Sequence, residues 1–488
     1  MQTLHDLVHA RERDRGPVLI DDLTAEAVSG TALASRVDAR ARALVAAGVR
    51  PGDRVALLVP NSLACAESLL AAAVAGAAAV PINLRWTAGE VDRLLADAEP
   101  RVLLATEDRV RALGRLEHCP AVLPPDAILA TGPARPAIGP DEPALILYTS
   151  GTTGRPKGAM LTHRNLLSNA RVIAEWLRLG PTDRFLTVMP LFHANAIVLG
   201  LLTPLLAGGS TVVAERFRAP AFWASVERHR PTTTGMVPTM LAMLLGLPEP
   251  PVPMSRSSLR FLLTGSAPVP ADLLLAFEER FGVPVIEGYG LTECTCRATF
   301  NPVDGRRRPG SCGLPLEPLR VVDGEDRDVA PGEIGEIVIR GPHVMLGYFR
   351  NPTATAAAQR GGWLHSGDLG RVDADGFVHV VGRASEIIIR GGENVYPREI
   401  EETLLAHPDV AEAAVVGAPD ALYGEVVWAF LVSRPDRTLD LGSVARWCTE
   451  RLADFKRPAR MTIVPELPKG PTGKVLKAPL RARAGAQP

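Results

Sequence analysis

The sequence predicts a mixed α/β protein with a large N-terminal domain and a small α+β C-terminal domain. Three observations support this prediction. The chain has 488 residues, which is enough for more than one hydrophobic core. Helical and strand patterns alternate through most of its length, as in layered α/β subdomains. The pattern changes near residue 384, and we therefore predict two domains, 1–384 and 385–488.

The N-terminal elements follow from the spacing of apolar residues. The predicted helices are Leu33–Ala47 and Ser62–Ala75, and the predicted strands are Arg54–Val59, Ala77–Pro81 and Ala144–Leu147. A further helix is predicted to begin near Thr162, whose hydroxyl can cap it. Between about 181 and 300 the predicted strands are Phe185–Met189, Ser210–Ala214, Phe261–Thr264 and Val283–Glu287.

Residues 309–383 contain many glycines and short apolar runs, which predict small twisted strands as in a β-barrel. Beyond them, the strand-like run Glu386–Arg390 is followed by two glycines and by Pro397, a favourable first residue of a helix. Mixed α+β character then continues to the C-terminus, which favours a separate small domain.

Composition excludes several functional classes. The formal net charge is −1, so no general affinity for nucleic acid or anionic membrane is expected. The N-terminus lacks a basic start and a long apolar run, so no signal peptide is predicted. The most apolar window, Ser68–Leu84, is mostly alanine and predicts packed elements, not a membrane span. Six cysteines without metal-binding spacing favour reduced thiols and a cytoplasmic location.

Lysine is unusually rare: five of the 53 basic residues are lysine, and the rest are arginine. A lysine is then expected to persist where a compact ammonium group does what a planar guanidinium cannot. Lys157 lies in a glycine-rich segment. The other four lie near the C-terminus, at 456, 469, 474 and 477, which suggests a second functional site there.

The glycine-rich segment Tyr148–Ala159 contains three glycines, four Ser/Thr hydroxyls and Lys157 directly after a predicted strand. Backbone N–H groups and hydroxyls in such a loop can bind phosphate oxygens, because glycine permits close approach and positive φ. It differs from the common NTPase loop, since Gly154 is followed by Arg-Pro-Lys. The candidate phosphate ligands are Thr149, Ser150, Gly151, Thr152, Thr153, Gly154 and Lys157.

This segment resembles the nucleotide-binding signature of the adenylate-forming (ANL) superfamily, which includes acyl- and aryl-CoA synthetases, peptide-synthetase adenylation domains and beetle luciferases. The resemblance extends along nearly the whole chain. It implies ATP-dependent activation of a carboxylate as acyl-AMP, pyrophosphate release, and transfer of the acyl group to the CoA thiol. It also implies ATP, Mg²⁺ and coenzyme A as cofactors, and a mobile C-terminal lid with its hinge at Ser385.

Two further motifs resemble nucleotide-binding elements of this superfamily. In the run Glu287-Gly288-Tyr289-Gly290-Leu291-Thr292-Glu293, the resemblance implies that Tyr289 lies against adenine, that Thr292 touches phosphate and that Glu293 binds Mg²⁺. The glycine-rich turn Gly265-Ser266-Ala267 is implied to lie between adenine and the acyl group.

Trp363–Leu369 contains the pattern whose aspartate, here Asp368, is implied to bridge both ribose hydroxyls. Arg383 resembles the arginine that contacts ribose and phosphate ahead of the hinge.

Three C-terminal segments resemble the catalytic and CoA-binding elements of the superfamily. Lys474 matches the catalytic lysine that bonds the carboxylate and the α-phosphate during adenylation. Gly391 and Gly392 match the loop that leaves a channel for pantetheine after lid rotation. The segment Phe455-Lys456-Arg457 resembles the surface that binds the CoA nucleotide.

The acyl pocket is assigned by position in the resemblance. Its candidates are His193, Asn195, Ala196, Met236, Val237, Gly290, Thr295 and Cys296, with Met240, Ser266 and Ala267 close by. This set is mostly apolar and small, which suggests a small hydrophobic or aromatic carboxylate as the substrate. His193 is implied to line the acyl site and gate CoA entry. Arg297 follows this set and could pair with a second carboxylate of a dicarboxylate substrate, although an exposed surface position is favoured for one of 48 arginines.

The acyl acceptor stays open. A carrier-protein pantetheine shares its chemistry with CoA, and an amine or nitrite would need only the adenylation half-reaction. Neither the carboxylic acid nor the oligomeric state follows from the sequence, and a homodimer is possible.

Overall fold

Two largely parallel β-sheets build the N-terminal part of the computed structural model. The structure describes residues 1–132, 136–149, 156–248, 257–266, 269–435, 437–470 and 475–485. All structural statements below refer to these residues.

The larger sheet has nine strands. In order across the sheet they are Leu314–Pro315, Thr299–Phe300, Val285–Tyr289, Phe261–Thr264, Thr233–Met236, Arg184–Thr187, Ser210–Val213, Pro17–Asp21 and Ala27–Ser29. The six strands from Val285–Tyr289 to Pro17–Asp21 run parallel. The strands predicted from sequence in this part are confirmed, with ends that differ by at most a few residues.

The second sheet has seven strands. In order they are Gly347–Tyr348, Lys157–Thr162, Pro143–Thr149, Ala78–Pro81, Arg54–Leu57, Val102–Leu104 and Ala121–Leu123. The last five run parallel, and at one edge Lys157–Thr162 pairs antiparallel with both Pro143–Thr149 and Gly347–Tyr348. The segment predicted to bind phosphate therefore connects two antiparallel neighbours in this sheet.

Helices cover these sheets. In the N-terminal part they are Leu4–Ala10, Gly30–Ala46, Leu63–Val74, Ala88–Ala98, Glu107–Leu113, His163–Trp176, the π-helix Asn195–Leu202, Thr203–Leu206, Ala219–His229, Pro238–Leu245, Ala271–Phe281, the 3₁₀ turn Thr292–Cys294 and Pro352–Ala358. Thr162 caps His163–Trp176 as predicted, because its hydroxyl accepts the Asn165 backbone N–H. Phe222, Trp223 and Phe277 pack with other apolar side chains into a core against the nine-stranded sheet.

The carboxyl ends of three neighbouring parallel strands lead directly into predicted site residues. Val237 follows Thr233–Met236, Gly265 follows Phe261–Thr264, and Gly290 follows Val285–Tyr289. In an open α/β sheet this is the edge at which ligands bind, because the connecting loops leave a crevice there.

The remaining strands belong to two small sheets. In the region predicted as small twisted strands, Leu319–Val322, Gly335–Ile339, Trp363–Val372 and Gln359–Arg360 form a sheet, with Val378–Arg383 paired to Trp363–Val372. The C-terminal sheet contains Glu393–Val395, Ile388–Arg390, Gly424–Ser433, Val410–Asp420 and Arg460–Ile463. The C-terminal helices are the 3₁₀ turn Ala384–Glu386, Pro397–Leu405, Leu441–Arg451, the 3₁₀ turn Asp454–Lys456 and Lys477–Gly485.

The chain divides into two compact units. The first contains residues 1–319 and 339–365, and the second contains 320–338 and 366–488. The predicted fold class, a large α/β part and a smaller α+β part, is confirmed. The hinge at Ser385 stays a prediction.

All six cysteines are free thiols. Within the described chain, none of the helices has the length and apolar character needed to cross a bilayer.

Candidate active site

The two strands that flank the glycine-rich loop are paired up to its edges. Thr149 lies opposite Lys157, and the Thr149 hydroxyl is 3.5 Å from the Lys157 carbonyl oxygen. The loop is therefore closed as a hairpin at its base. Five of its predicted phosphate ligands, Ser150, Gly151, Thr152, Thr153 and Gly154, lie outside the described residues.

Tyr348 brings together two predicted site residues from distant motifs. The Lys157 ammonium lies 5.3 Å from the centre of the Tyr348 ring. The Tyr348 hydroxyl donates a 2.8 Å hydrogen bond to Oε1 of Glu293. Lys157, at the base of the phosphate loop, thus contacts the ring of Tyr348, and Glu293, the predicted magnesium ligand, contacts its hydroxyl.

Tyr348 was missed by the sequence analysis. It is one of five tyrosines in the chain and follows a glycine, a weak signal that did not distinguish it. Its position is set by backbone hydrogen bonds on both sides: Met345 N–H donates to the Glu293 carbonyl, and Phe349 N–H donates to the Gly158 carbonyl. These bonds hold the tyrosine between the loop hairpin and the Glu293 motif.

The turn after Phe261–Thr264 touches the neighbouring strand so closely that a side chain would not fit. Gly265 has φ +150°, and a Cβ built on it would lie 2.3 Å from the Gly288 carbonyl oxygen. Ser266 follows with φ +68°. The structure therefore brings together the two predicted adenine-side segments, Gly265–Ser266 and Glu287–Tyr289. Ala267 lies outside the described residues.

The Glu293 motif ends in a short 3₁₀ turn, Thr292–Cys294, whose first two side chains are partly exposed. Glu287 is buried at the other end of the motif, where its carboxylate accepts a 3.8 Å contact from the Cys312 thiol. Glu287 is therefore a packed residue of the strand, whereas Thr292 and Glu293 can reach a ligand.

His193 begins a segment of unusual geometry. It precedes the π-helix Asn195–Leu202, a rare conformation that is often found at functional sites. Its Nε2 atom and the Asn195 side-chain nitrogen are buried and have no hydrogen-bond partner among the described residues. Burial lowers the pKa of His193 to about 4, so its imidazole is neutral at pH 7. The sequence carried no signal for the π-helix.

Five other predicted pocket residues are buried. Ala196 lies in the π-helix, and Met236 and Val237 lie at the end of a strand of the larger sheet. Thr295 and Cys296 follow the 3₁₀ turn. The Thr295 hydroxyl donates a 2.6 Å bond to the His343 carbonyl, so this hydroxyl is already used within the protein. Burial raises the pKa of the Cys296 thiol, which stays protonated at neutral pH.

Arg297 contradicts the expectation of an exposed surface position. It is only 2% exposed, and it is the largest of the fully buried side chains among the described residues. The expectation rested on the abundance of arginine, whereas burial here results from contacts with residues distant in sequence. Asn169 bonds both the N–H and the carbonyl of Arg297, at 3.1 and 2.8 Å, and the guanidinium lies 5.4 Å from the Phe300 ring centre.

In the second unit, the two predicted ribose ligands contact each other. Asp368 and Arg383 are opposite residues on paired strands, and Arg383 Nε lies 2.7 Å from Oδ1 of Asp368. The Asp368 side chain is buried, and its backbone N–H donates to the Ser366 hydroxyl. The guanidinium thus orients the carboxylate that is predicted to bind the ribose diol.

The predicted hinge and channel residues lie on turns of this unit. Ser385 is in the 3₁₀ turn Ala384–Glu386, and its carbonyl accepts a 2.9 Å bond from Arg481. Gly391 and Gly392 form an exposed hairpin turn with φ +59° and +89°. A larger residue would be strained there, which explains the two glycines in backbone terms.

The predicted CoA segment is partly engaged within the protein. Lys456 pairs with both carboxylate oxygens of Glu399, at 2.7 and 2.9 Å, and Arg457 donates to two backbone carbonyls. Phe455 packs against the small-domain core. Lys469 pairs with Glu412, and Lys477 pairs with Glu386 and Glu401.

Ion pairs within the domain therefore account for three of the four C-terminal lysines. The fourth, Lys474, lies outside the described residues. The second functional site that the lysine cluster suggested stays a prediction.

Comparison with known proteins identifies the family of this chain. The profile of the AMP-binding enzyme family matches residues 8–349, and that of the AMP-binding enzyme C-terminal domain matches residues 399–474. The chain belongs to the AMP-binding enzyme family.

Similar proteins cover nearly the whole chain. It is 40% identical to the sulfoacetate–CoA ligase of Cupriavidus necator, across 97% of this chain and 96% of the relative. It is 42% identical to a feruloyl-CoA synthase of Amycolatopsis, across 93% of each. Among solved structures, ATP-bound MatB from Rhodopseudomonas palustris matches with a TM-score of 0.92 and 33% identity, across 99% of this chain and 98% of MatB. The predicted class of enzyme, an acid–CoA ligase, is confirmed.

Proposed function

We propose that this chain activates a small carboxylic acid with ATP as an acyl-adenylate, releases pyrophosphate, and transfers the acyl group to the thiol of coenzyme A. The observation that supports this most directly is the grouping of Lys157, Tyr348 and Glu293 beside the hairpin base of the glycine-rich loop. Adenylation joins two anions, and it needs a cation and a metal-binding carboxylate next to the phosphates.

The first unit supplies the phosphate and adenine contacts in this proposal. Lys157 and the loop residues bind the β- and γ-phosphates, and Tyr289 and the Gly265–Ala267 turn bind the adenine. Glu293 fits Mg²⁺, which in nucleotide sites takes one or two carboxylates plus phosphate oxygens. Its carboxylate is partly exposed, and the Tyr348 hydroxyl holds one oxygen in place. A bound Mg²⁺ would reduce the negative charge on the phosphates.

The second unit supplies the ribose and α-phosphate contacts. Asp368 accepts hydrogen bonds from the ribose hydroxyls while Arg383 keeps its carboxylate in position. Lys474 stabilises the charge that develops on the carboxylate and α-phosphate during adenylation. Lys469 provides the matched control for substitutions of Lys474, because it is a neighbouring lysine that pairs with Glu412 and has no role in this chemistry.

Thioester formation is assigned to a second arrangement of the same chain. Ser385 is proposed as the hinge, Gly391 and Gly392 as the walls of the pantetheine channel, and Phe455–Arg457 as the contact for the CoA nucleotide. The side chain of His193 is neutral and lines the acyl site in this proposal. A carrier-protein or non-thiol acceptor and a homodimer stay predictions.

The test measures pyrophosphate release with a panel of short-chain, aromatic and dicarboxylic acids, with and without CoA, and identifies AMP and acyl-CoA by mass. Lys474→Ala is expected to lower adenylation at least about a hundredfold, the typical effect of removing one preorganised transition-state donor. Lys469→Ala should leave it unchanged. Near-wild-type adenylation in Lys474→Ala, or no AMP with any acid, would refute the proposal.

A further inference from the structure

We propose that Arg297 binds a second anionic group, a carboxylate or sulfonate, at the far end of the acid, so that this enzyme acts on dianionic acids. This inference rests on the proposed function, because it assigns the substrate class of the same acyl site. It differs from the hydrophobic or aromatic acid that the mostly apolar pocket residues suggest.

The guanidinium of Arg297 is a buried cation that has no counterion in the part of the chain that the structure describes. Its Nε and Nη2 atoms are buried and make no hydrogen bond, and no ion pair to it exists among the described residues. An arginine remains charged under all physiological conditions. A buried charge of this kind is strongly unfavourable unless it is paired, which indicates that its partner arrives with a ligand.

Another buried arginine of the chain shows how such a side chain is usually satisfied. Arg11 donates to the backbone carbonyls of Leu205 and Gly209, and its Nε lies 2.8 Å from the Asp14 carboxylate. Arg297 lacks such partners among the described residues, so a purely structural role does not explain its burial. Its ring contact with Phe300 shields one face of the guanidinium and leaves the N–H edge unused.

The free edge of Arg297 lies beside the turn that follows Phe261–Thr264. A Cβ built on Gly265 would lie 3.2 Å from Arg297 Nη2, so only glycine leaves this edge open. The Asn169 amide holds the Arg297 backbone on both sides and fixes where the side chain starts. The cation therefore lies next to the Gly265 turn, which is implied by the resemblance to lie between adenine and the acyl group.

A second unpartnered donor lies over the neighbouring strand. Asn195 Nδ2 is buried and has no partner in the described ranges, and the Asn195 Oδ1 would be 3.2 Å from a Cβ built on Gly235. Gly235 pairs with Leu263, two residues before Gly265. The Thr264 hydroxyl, between these positions, is also buried and unpartnered. Unused hydrogen-bond donors thus collect at the same strand ends as the cation, which favours a ligand with acceptor oxygens.

The unused atoms also have the right geometry for a carboxylate. Nε and Nη2 form one edge of the guanidinium, and two parallel N–H bonds from such an edge fit the two oxygens of a carboxylate or sulfonate. A neutral acyl chain would leave this edge desolvated and unpaired, so the site discriminates against it.

The experiment compares kcat/KM for pyrophosphate release between dicarboxylic acids of increasing length, their ω-sulfo counterparts, and the monomethyl esters that lack the second charge. In the wild type, kcat/KM for the best dianionic acid is expected to exceed kcat/KM for its ester at least about thirtyfold. This factor corresponds to the usual effect of removing one partner of a buried charge pair. Comparison of the carboxylate and sulfonate series identifies which anion the site accepts.

Substitutions of Arg297 test whether this residue causes the preference for the dianionic acid over its ester. Arg297→Met should lower kcat/KM for the dianionic acid by the same factor without lowering it for the ester, and Arg297→Lys should restore part of it. Arg306→Met, which removes an exposed arginine paired with Asp304, is the matched control and should change neither.

Several outcomes would overturn the inference. These are a wild-type enzyme that prefers the esters, or an Arg297→Met variant with an unchanged ratio. If Arg297→Met does not fold, the wild-type ratio alone decides. If pyrophosphate is released with neutral acids and not with dianionic acids, this inference is refuted and the proposed function stays intact. If no acid gives pyrophosphate release, the proposed function itself is refuted.

Discussion

The buried imidazole of His343 should make the protein sensitive to acid. His343 is 1% exposed, and neither ring nitrogen has a hydrogen-bond partner among the described residues. Burial lowers its pKa from 6.5 to about 4. Replacing it with leucine, of similar volume and without a titratable group, should remove this sensitivity.

The sign and magnitude follow from proton linkage. Between pH 6.5 and 4 the unfolded chain holds a proton on this residue and the folded protein does not, so the free energy of unfolding falls as the pH falls. The contribution is fully present above pH 6.5. At about pH 5 the loss is about 2 kcal/mol, and the gap between 6.5 and about 4 sets a ceiling of about 3.4 kcal/mol.

Urea unfolding of the wild type and His343→Leu at about pH 8 and pH 5 measures this difference. At about pH 8 the two should differ by less than about 1.5 kcal/mol, because no hydrogen bond is lost and the volume is kept. At about pH 5 the variant should be more stable than the wild type by about 2 kcal/mol beyond that difference. Equal losses of stability in both proteins would refute the reasoning.

His163→Leu provides a matched contrast. Burial also lowers the pKa of His163 to about 4, but its Nδ1 accepts the Leu4 backbone N–H at 3.1 Å. This variant should also lose less stability in acid. Unlike His343→Leu, it should be destabilised by about 1–3 kcal/mol at every pH, because a buried donor is left without its acceptor.

Three further variants test the site. Tyr348→Phe removes the hydroxyl that orients Glu293, so Mg²⁺ affinity or adenylation, measured by Mg²⁺ titration of pyrophosphate release, should fall about tenfold or more; an unchanged titration would contradict this role. Gly265→Ala forces a Cβ to 2.3 Å from a carbonyl oxygen and should lower the free energy of unfolding by about 1–3 kcal/mol, whereas Gly16→Ala, with open space around it, should not. Gly392→Leu, at φ +89°, should impair thioester formation and leave adenylation intact; equal loss of both steps would count against the channel.

Features set by local sequence were predicted correctly. The helix Leu63–Val74, the Thr162 cap and the strand Phe261–Thr264 appear where apolar spacing and capping chemistry placed them. Such features depend on neighbours within a few residues, so the amino-acid pattern contains the information needed. The phosphate-binding role of the glycine-rich segment also rests on local composition, and it stays a prediction.

Features set by long-range contacts were not predictable. The sequence shows an arginine at 297 but not that Asn169, Gly265 and Phe300 enclose it, and its abundance in the chain pointed to the surface. The same holds for Tyr348, which reaches Glu293 only because the 345–349 segment hydrogen bonds to two other motifs. The residue types present follow from the chain, whereas their burial and pairing follow from packing between segments far apart in it.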